Sequence, residues 1–295
     1  MSSALAVIEG GRQSFGQVDM SGAGSDVQLV ALWLGGRPDT TRRAYEREAS
    51  RFLARVRKPL RAVNVTDVQG FAEGLTGSPA TVSRALSAVK SLLSYGQRVG
   101  YLTFNVGAAL RLPARKNELA ARILPEADTQ RMLALEPDPR NRLLLRITYA
   151  AGLRVSELCG LSWSDAQARD DGGQLTIFGK GGKTRAVLLP ASVWGDLMAS
   201  KPVDATATAP IFGSRKGGRL CTSAVWRVVK AAAIRAGIPG NVSPHWMRHA
   251  HASHALDRGC PVHVLQATLG HASLATTSRY AHARPSDSSS RYLAV

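Results

Sequence analysis

Two short apolar runs, residues 175–178 and 184–189, are partly β-branched and flank Gly179-Lys180-Gly181-Gly182. A glycine-rich turn between such runs signals a β-hairpin, because glycine reaches the positive φ that tight turns demand. The other periodic segments repeat their apolar residues at helical spacing. This contrast predicts a mostly α protein with one small antiparallel sheet.

The helical segments carry their own start signals. Thr40 or Thr41 can cap a helix running towards Arg55, with Tyr45, Ala49, Phe52 and Val56 on one face. Thr66 or Asp67 can cap a short helix through Leu75, and Ser78 with Pro79 in the first turn opens a longer one. The longer helix places Val82, Leu86, Val89 and Leu93 on one side and Arg84, Ser87, Ser91, Ser94 and Arg98, with Lys90 beside them, on the other. Small hydroxyls between cations suit a DNA backbone or major groove, and they equally suit an ordinary solvated face.

Residues 1–25 are Gly/Ser-rich and aperiodic, which predicts a mobile arm. A helical unit over 26–111 follows, and 112–122, charged and containing Pro113, has the character of an exposed linker. A second unit spans 123–280. A helix opens at Pro125-Glu126, two more within 141–161 are broken at Gly152, and others are expected at 223–236, 244–257 and 262–269. Residues 281–295 form a short tail.

The chain of 295 residues has a formal charge of +17 and a pI of about 10.7. Such a field favours a polyanion, of which nucleic acid is the commonest. The early run Arg37, Arg42, Arg43, Arg47, Arg51, Arg55, Arg57, Lys58, Arg61 strengthens that expectation over a merely solubilising surface. Cys159, Cys221 and Cys260 are odd in number and lack metal-type spacing, so they read as thiols of a reducing compartment. The first residues lack the apolar core of a signal peptide, and no stretch is apolar for long enough to span a bilayer. A soluble, cytoplasmic protein without membrane partners is expected.

Arg154, Lys180, His245, Arg248, His271 and Tyr280 contain, in order, what phosphodiester cleavage by a tyrosine requires. Tyr280 is the candidate nucleophile; a phenol ionises near ~10, so it needs nearby cations or a base. Arg154 and Arg248 can each clamp two phosphate oxygens and stabilise a pentacoordinate transition state. Glu157, one helical turn after Arg154, can orient that arginine or pair with another cation. Lys180, at a glycine-flanked tip, can protonate a departing 5′ oxygen, with Lys183 as its competitor; either also serves as a plain phosphate contact. His245 and His271 can exchange protons near neutral pH, and their ring chemistry leaves the general-base role open between them. His249, His251, His254, His263 and His282 raise the question of a metal. His-Glu-x-x-His and paired cysteines are absent from the sequence, which argues against one.

The segments Ala151-Gly-Leu-Arg-Val-Ser-Glu-Leu158, Phe178-Gly-Lys-Gly-Gly-Lys-Thr-Arg185, Ser243-Pro-His-Trp-Met-Arg-His249, Leu269-Gly-His271 and Thr276-Thr-Ser-Arg-Tyr280 resemble the boxes of the tyrosine recombinase, or phage integrase, family. The resemblance is to its compact Xer-like or mobile-element type. It implies a helical SAM-like core-binding domain, placing Arg43, Arg47, Arg84, Ser87, Lys90 and Ser91 with Lys183 among the DNA contacts, and a mixed α/β catalytic domain. It also implies a 3′-phosphotyrosyl intermediate on Tyr280 and a released 5′ hydroxyl that attacks the partner strand. Bond energy is conserved in that exchange, so no cofactor, neither ATP nor a divalent metal, is required. A homotetramer on two double-stranded recombination sites, a dimer per site, is the implied assembly, with an accessory protein left open.

Ala151 and Met247 depart from residues frequent at their places, tolerably on volume. The tail suggests an apolar plug made by Tyr292, Leu293 and Val295 on a neighbouring subunit, against the alternative of a free end. Within the family, integration, excision or resolution of a mobile element competes with Xer-type resolution of chromosome or plasmid dimers. Outside it, His249-Ala-His251 formally matches the metal-binding pair of rolling-circle endonucleases, and an inert DNA-binding regulator would need no nucleophile.

Overall fold

Polar residues with a free side-chain acceptor start several helices of the first unit. The Ser25 hydroxyl accepts from the Gln28 N–H and opens helix α1, Asp26–Leu34. Helix α2, Asp39–Val56, begins directly behind Pro38, so Thr40 and Thr41 lie inside its first turn and cap nothing. Asn64 caps helix α3, Val65–Glu73, in a reciprocal box: Asn64 Oδ1 accepts from Asp67 N–H at 3.1 Å and Asp67 Oδ2 from Asn64 N–H at 2.8 Å. The cap therefore lies two residues ahead of Thr66 and three ahead of Asp67. Ser78 caps helix α4, Pro79–Arg98, by accepting from Thr81 N–H, as its sequence predicts.

The described residues are 18–114, 118–179 and 182–283 of a computed structural model. The chain divides into two units, Met1–Lys116 and Asn117–Val295. In the first, Leu86, Val89, Leu92 and Leu93 of α4 pack with Leu29, Trp33, Phe52 and Phe71. The aperiodic start does not stay apart from this core throughout. Met20 N–H bonds Val99 O at 2.9 Å, Asp19 pairs with Arg61 at 2.6 Å, and Ala23 is buried. Long-range side-chain and backbone bonds thus hold residues 19 and 20 where the Gly/Ser composition alone predicts a mobile arm; residues 1–17 lie outside the described residues.

In the second unit helices α5, Glu126–Ala134, α6, Pro139–Ala150, and α7, Val155–Gly160, precede a meander of three antiparallel strands. These are β1, Ala166–Arg169, β2, Gly172–Phe178, and β3, Thr184–Pro190, in that order across the sheet. The register sets Leu175 opposite Val187 and Ile177 opposite Arg185. Period two places Arg185, Val187 and Leu189 on one face of β3, so an arginine ends a row of core residues. Helices α8, Ala191–Ala199, α9, Thr222–Arg235, α10, Pro244–Asp257, α11, Val262–Leu269, and α12, Leu274–Ala283, complete the unit. Strand β1 and helices α8 and α12 have no counterpart among the sequence expectations.

Helix α10 lies between two apolar clusters. Met247 and Ala250 join the main core with Leu144, Ile147 and Leu158. Ala252, on the other side, joins a smaller cluster with Leu119, Ile123, Leu265, Leu269 and Tyr280. Helical spacing puts His245, Arg248 and His249 on that second side, facing α11 and α12 rather than the main core. Among the described residues no helix is long and apolar enough to cross a membrane.

Candidate active site

Gly152 ends α6 in the left-handed region, with φ +59°, and the chain turns there into α7. Arg154 is the residue before that helix, and its N–H donates to Glu157 Oε2 at 2.8 Å while its Nη1 donates to Oε1 at 2.8 Å. The same carboxylate receives Arg185 through Nη1 at 2.9 Å and Nη2 at 2.8 Å. Arg248 Nη1 stands 4.0 Å away. Burial alone raises the Glu157 pKa. The hydrogen bonds from Arg185 and Arg154 outweigh it and hold the group at about 2. Glu157 is therefore a carboxylate among three guanidiniums, and the surplus of the cluster is positive.

Arg248 is 4 % exposed and donates to Gly152 O and Leu269 O, both at 2.6 Å. Burial, then the charge of Arg154, lowers its pKa to about 10, still far above neutrality. Arg154 Nη2 donates to the next carbonyl, Gly270 O, at 3.3 Å. Arg154, ahead of α7, and Arg248, on α10, are thus tied to consecutive carbonyls at the end of α11, immediately ahead of His271. Arg185 Nε fixes Thr268 O at 2.7 Å, and Gly270, with φ +62°, leaves room for the Arg185 side chain. Any Cβ on Gly270 would stand 3.2 Å from that guanidinium.

His271 Nδ1 shares a hydrogen bond of 2.9 Å with buried Thr277 Oγ1. Its ring lies parallel to that of Tyr280, with centroids 6.3 Å apart and an interplanar angle of 7°. Burial and the charges of Arg248, Arg154 and Arg185 push His271 down to about 4. His245 keeps one side to solvent; the protein around it, with Arg248 and Arg154, also lowers its pKa.

Tyr280 is 6 % exposed, and its hydroxyl lies 2.8 Å from His249 Nδ1. Burial raises the phenol's pKa, while Arg248, Arg279 and Arg154 pull against that rise. His249 and His251 diverge around α10: His249 meets Tyr280, whereas His251 Nδ1 donates to Tyr149 O at 2.8 Å. Among the described residues no group of three His, Cys, Asp or Glu side chains lies close enough to share a metal ion.

Arg154, Glu157, Arg248, His271 and Tyr280 are thereby brought together, with His245 on the same side of α10. Lys180 lies outside the described residues, and Lys183 is exposed just ahead of β3. Arg185 and His249 were not singled out as site residues from the sequence. A charged residue in phase with Val187 and Leu189 is a readable signal for Arg185. His249 shares a helical face with His245 by its spacing of four.

The first unit sorts its candidates differently. Arg43 and Arg84 are exposed. Arg47 is exposed and paired with Glu48 at 2.8 Å. Lys90 Nζ donates to Leu110 O at 2.6 Å, Ser87 Oγ to Ser83 O at 2.6 Å, and Ser91 Oγ accepts from Trp33 Nε1 at 3.2 Å. These three are engaged within their own unit.

The chain is similar to known proteins along most of its length. Residues 122–287 match the phage integrase family. Tyrosine recombinase XerC of Brucella suis biovar 1 (strain 1330) is 34% identical over 266 residues, covering 82% of this chain and 84% of that protein. Tyrosine recombinase XerD of Pseudomonas aeruginosa is 33% identical over 277 residues, covering 86% and 90%. The crystal structure of a lambda integrase tetramer bound to a Holliday junction superposes with a TM-score of 0.70 at 19% identity, over 89% of this chain and 78% of that one. The chain belongs to the phage integrase family of tyrosine recombinases, and it is a site-specific DNA recombinase.

Proposed function

We propose that Tyr280 attacks a scissile phosphate in duplex DNA, forms a 3′-phosphotyrosyl bond and releases a 5′ hydroxyl. The observation that carries this reading is the pair of tethers from Arg154 and Arg248 to Gly270 O and Leu269 O, beside His271 and Tyr280. Arg248 uses two of its five N–H groups on the Gly152 and Leu269 carbonyls, and the rest remain to bond phosphate oxygens. Both guanidiniums are held before substrate arrives, so little reorganisation is needed as negative charge grows on the equatorial oxygens. Glu157 and Arg185 set the Arg154 side chain. Lys180 protonates the departing 5′ oxygen, and His245 and His271 donate to phosphate oxygens. No cofactor enters the scheme.

The catalytic unit is 123–280, and the helical unit 26–111 supplies backbone contacts through Arg43 and Arg84. Four protomers on two sites hold the cut ends close, which raises the effective concentration for rejoining. The homology to XerC and XerD along more than four fifths of the chain is compatible with integration, excision or resolution of a mobile element and also supports Xer-type dimer resolution. Accumulation of dimeric plasmids in a strain lacking the gene supports that product; unchanged plasmid forms oppose it.

The chemistry is tested with nicked duplexes from the DNA flanking the gene, with EDTA present. The parent protein is expected to form a covalent complex, and Tyr280→Phe to bind the same duplex without forming one. A covalent complex that survives Tyr280→Phe overturns the assignment.

A further inference from the structure

Tyr280 needs a group that accepts its proton, and the sequence leaves His245 and His271 as the candidates. The geometry points elsewhere. We propose that His249 is a further catalytic residue, taking the phenolic proton of Tyr280 on Nδ1 during attack and returning it during rejoining. The inference rests on the recombinase reading and adds a residue to it.

Three observations converge. The Tyr280 hydroxyl and His249 Nδ1 share a hydrogen bond of 2.8 Å, with ring centroids 5.6 Å apart and inclined by 45°. That places an imidazole nitrogen on the reacting oxygen. His271 Nδ1 is engaged instead by Thr277 Oγ1, in a ring lying parallel to the phenol. Finally, Tyr280 is buried in one apolar cluster with Leu119, Ile123, Leu265 and Leu269, while its hydroxyl meets α10 at His249.

The charged and titratable groups facing His249 are His245 and Arg248 on α10, Arg279 and Tyr280 on α12, and Arg122 ahead of α5. Burial, followed by these positive neighbours, lowers its pKa to about 4, so the ring is neutral, and its Nε2–H tautomer keeps a lone pair on Nδ1. A bound phosphate offsets the same cations and raises the basicity of His249 as it arrives. The phenol meanwhile becomes more acidic as its oxygen bonds to phosphorus.

The Tyr280 O–H bond breaks and its proton moves to Nδ1, the O–P bond forms, and the bond from phosphorus to the 5′ oxygen breaks. That oxygen takes a proton from a separate donor, for which Lys180 stands. On rejoining, the 5′ hydroxyl gives its proton back to that donor and His249 protonates the departing phenolate.

The test measures single-turnover adduct formation on nicked duplexes from the DNA flanking the gene. One series carries the ordinary 5′ oxygen at the scissile bond and one carries sulfur, whose departure needs no proton. Histidine general catalysis is typically worth ~10²–10⁴ in rate. His249→Asn and His249→Ala are expected to lose that factor on both substrates, and imidazole to restore part of the rate of His249→Ala. Lys180→Ala, by contrast, recovers on sulfur. His249→Asn keeps an acceptor oxygen near the Nδ1 position, so a merely positioning role leaves it close to the parent rate. Rates for His249→Asn within threefold of the parent, or rescue of that variant by sulfur, overturn the inference. An adduct lost in Tyr280→Phe but intact in His249→Asn overturns it alone. An adduct surviving Tyr280→Phe overturns the recombinase assignment of Tyr280 with it.

Discussion

Arg185 grips Glu157 with two parallel hydrogen bonds, 2.9 Å and 2.8 Å long, at the end of a row of core residues on β3. The pair joins the hairpin strand to helix α7, and through Thr268 O to the end of α11. With side chains 12% and 4% exposed, it is an ion pair taken largely out of water. Removing one partner of a buried pair typically costs about 3–5 kcal/mol, because the other charge stays behind. Arg185→Met is expected to lower unfolding free energy by that order in urea titration. Arg185→Met with Glu157→Gln should lose less than the sum of the single changes, since the stranded charge is gone. Additive losses contradict the pairing.

The acid stability profile should have two stages. His249, His251 and His271 have pKa values lowered to about 4 in the folded chain, against ~6.5 when unfolded. Between these values the unfolded chain binds more protons, so stability is full above pH ~6.5 and falls as pH drops towards 4. Glu157 is held at about 2 against a reference value of 4.5, so its contribution is lost below that histidine window, as pH falls from 4.5 to 2. Urea midpoints measured from pH 7 to 3 test this. Glu157→Gln should flatten only the lower stage.

Two glycines in the same backbone region separate strain from crowding. Gly152 and Gly237 have φ of +59° and +65°. A Cβ on Gly152 would meet His251 Cδ2 at 2.7 Å and Leu269 Cδ2 at 2.8 Å, whereas Gly237 has nothing within 4 Å. Gly237→Ala is expected to cost about 1–2 kcal/mol, the left-handed penalty. Gly152→Ala should cost more and also impair covalent complex formation, because the Gly152 carbonyl holds Arg248. Equal losses of stability would contradict this packing.

Arg248→Lys separates charge from geometry. Lysine keeps the positive charge but loses the planar fork that reaches Gly152 O and Leu269 O together. Adduct formation is expected to fall by ~10² or more, the size found when one transition-state donor is removed. A rate within threefold of the parent would show that charge alone suffices.

Much of this architecture was readable because it rests on local rules. Ser78 with Pro79 opens α4, Gly152 breaks α6 from α7, and the glycine-rich turn separates β2 from β3. Arg154, Glu157, Arg248, His271 and Tyr280 were each legible as chemistry. Their grouping depends on Gly270 O and Leu269 O, which no side-chain pattern announces. Strand β1 escaped because Ala166-Gln-Ala-Arg169 has no β-branched residue and is stabilised by pairing with β2. Helix α3 was started late because Asn64 competes with two other polar residues as cap. The stripe on α4 was ambiguous in sequence, and tertiary contacts decide it: Lys90 and Ser91 turn to their own unit while Arg84 stays exposed.

The central claim is that Tyr280 becomes covalently joined to a 3′ DNA end. The most direct measurement digests the purified adduct with protease and nuclease and identifies by mass spectrometry the residue and the strand end that remain linked. The account predicts a nucleotide 3′-phosphate on the peptide containing Tyr280. A 5′-phosphate on that tyrosine, or a nucleotide on any other residue, would contradict it.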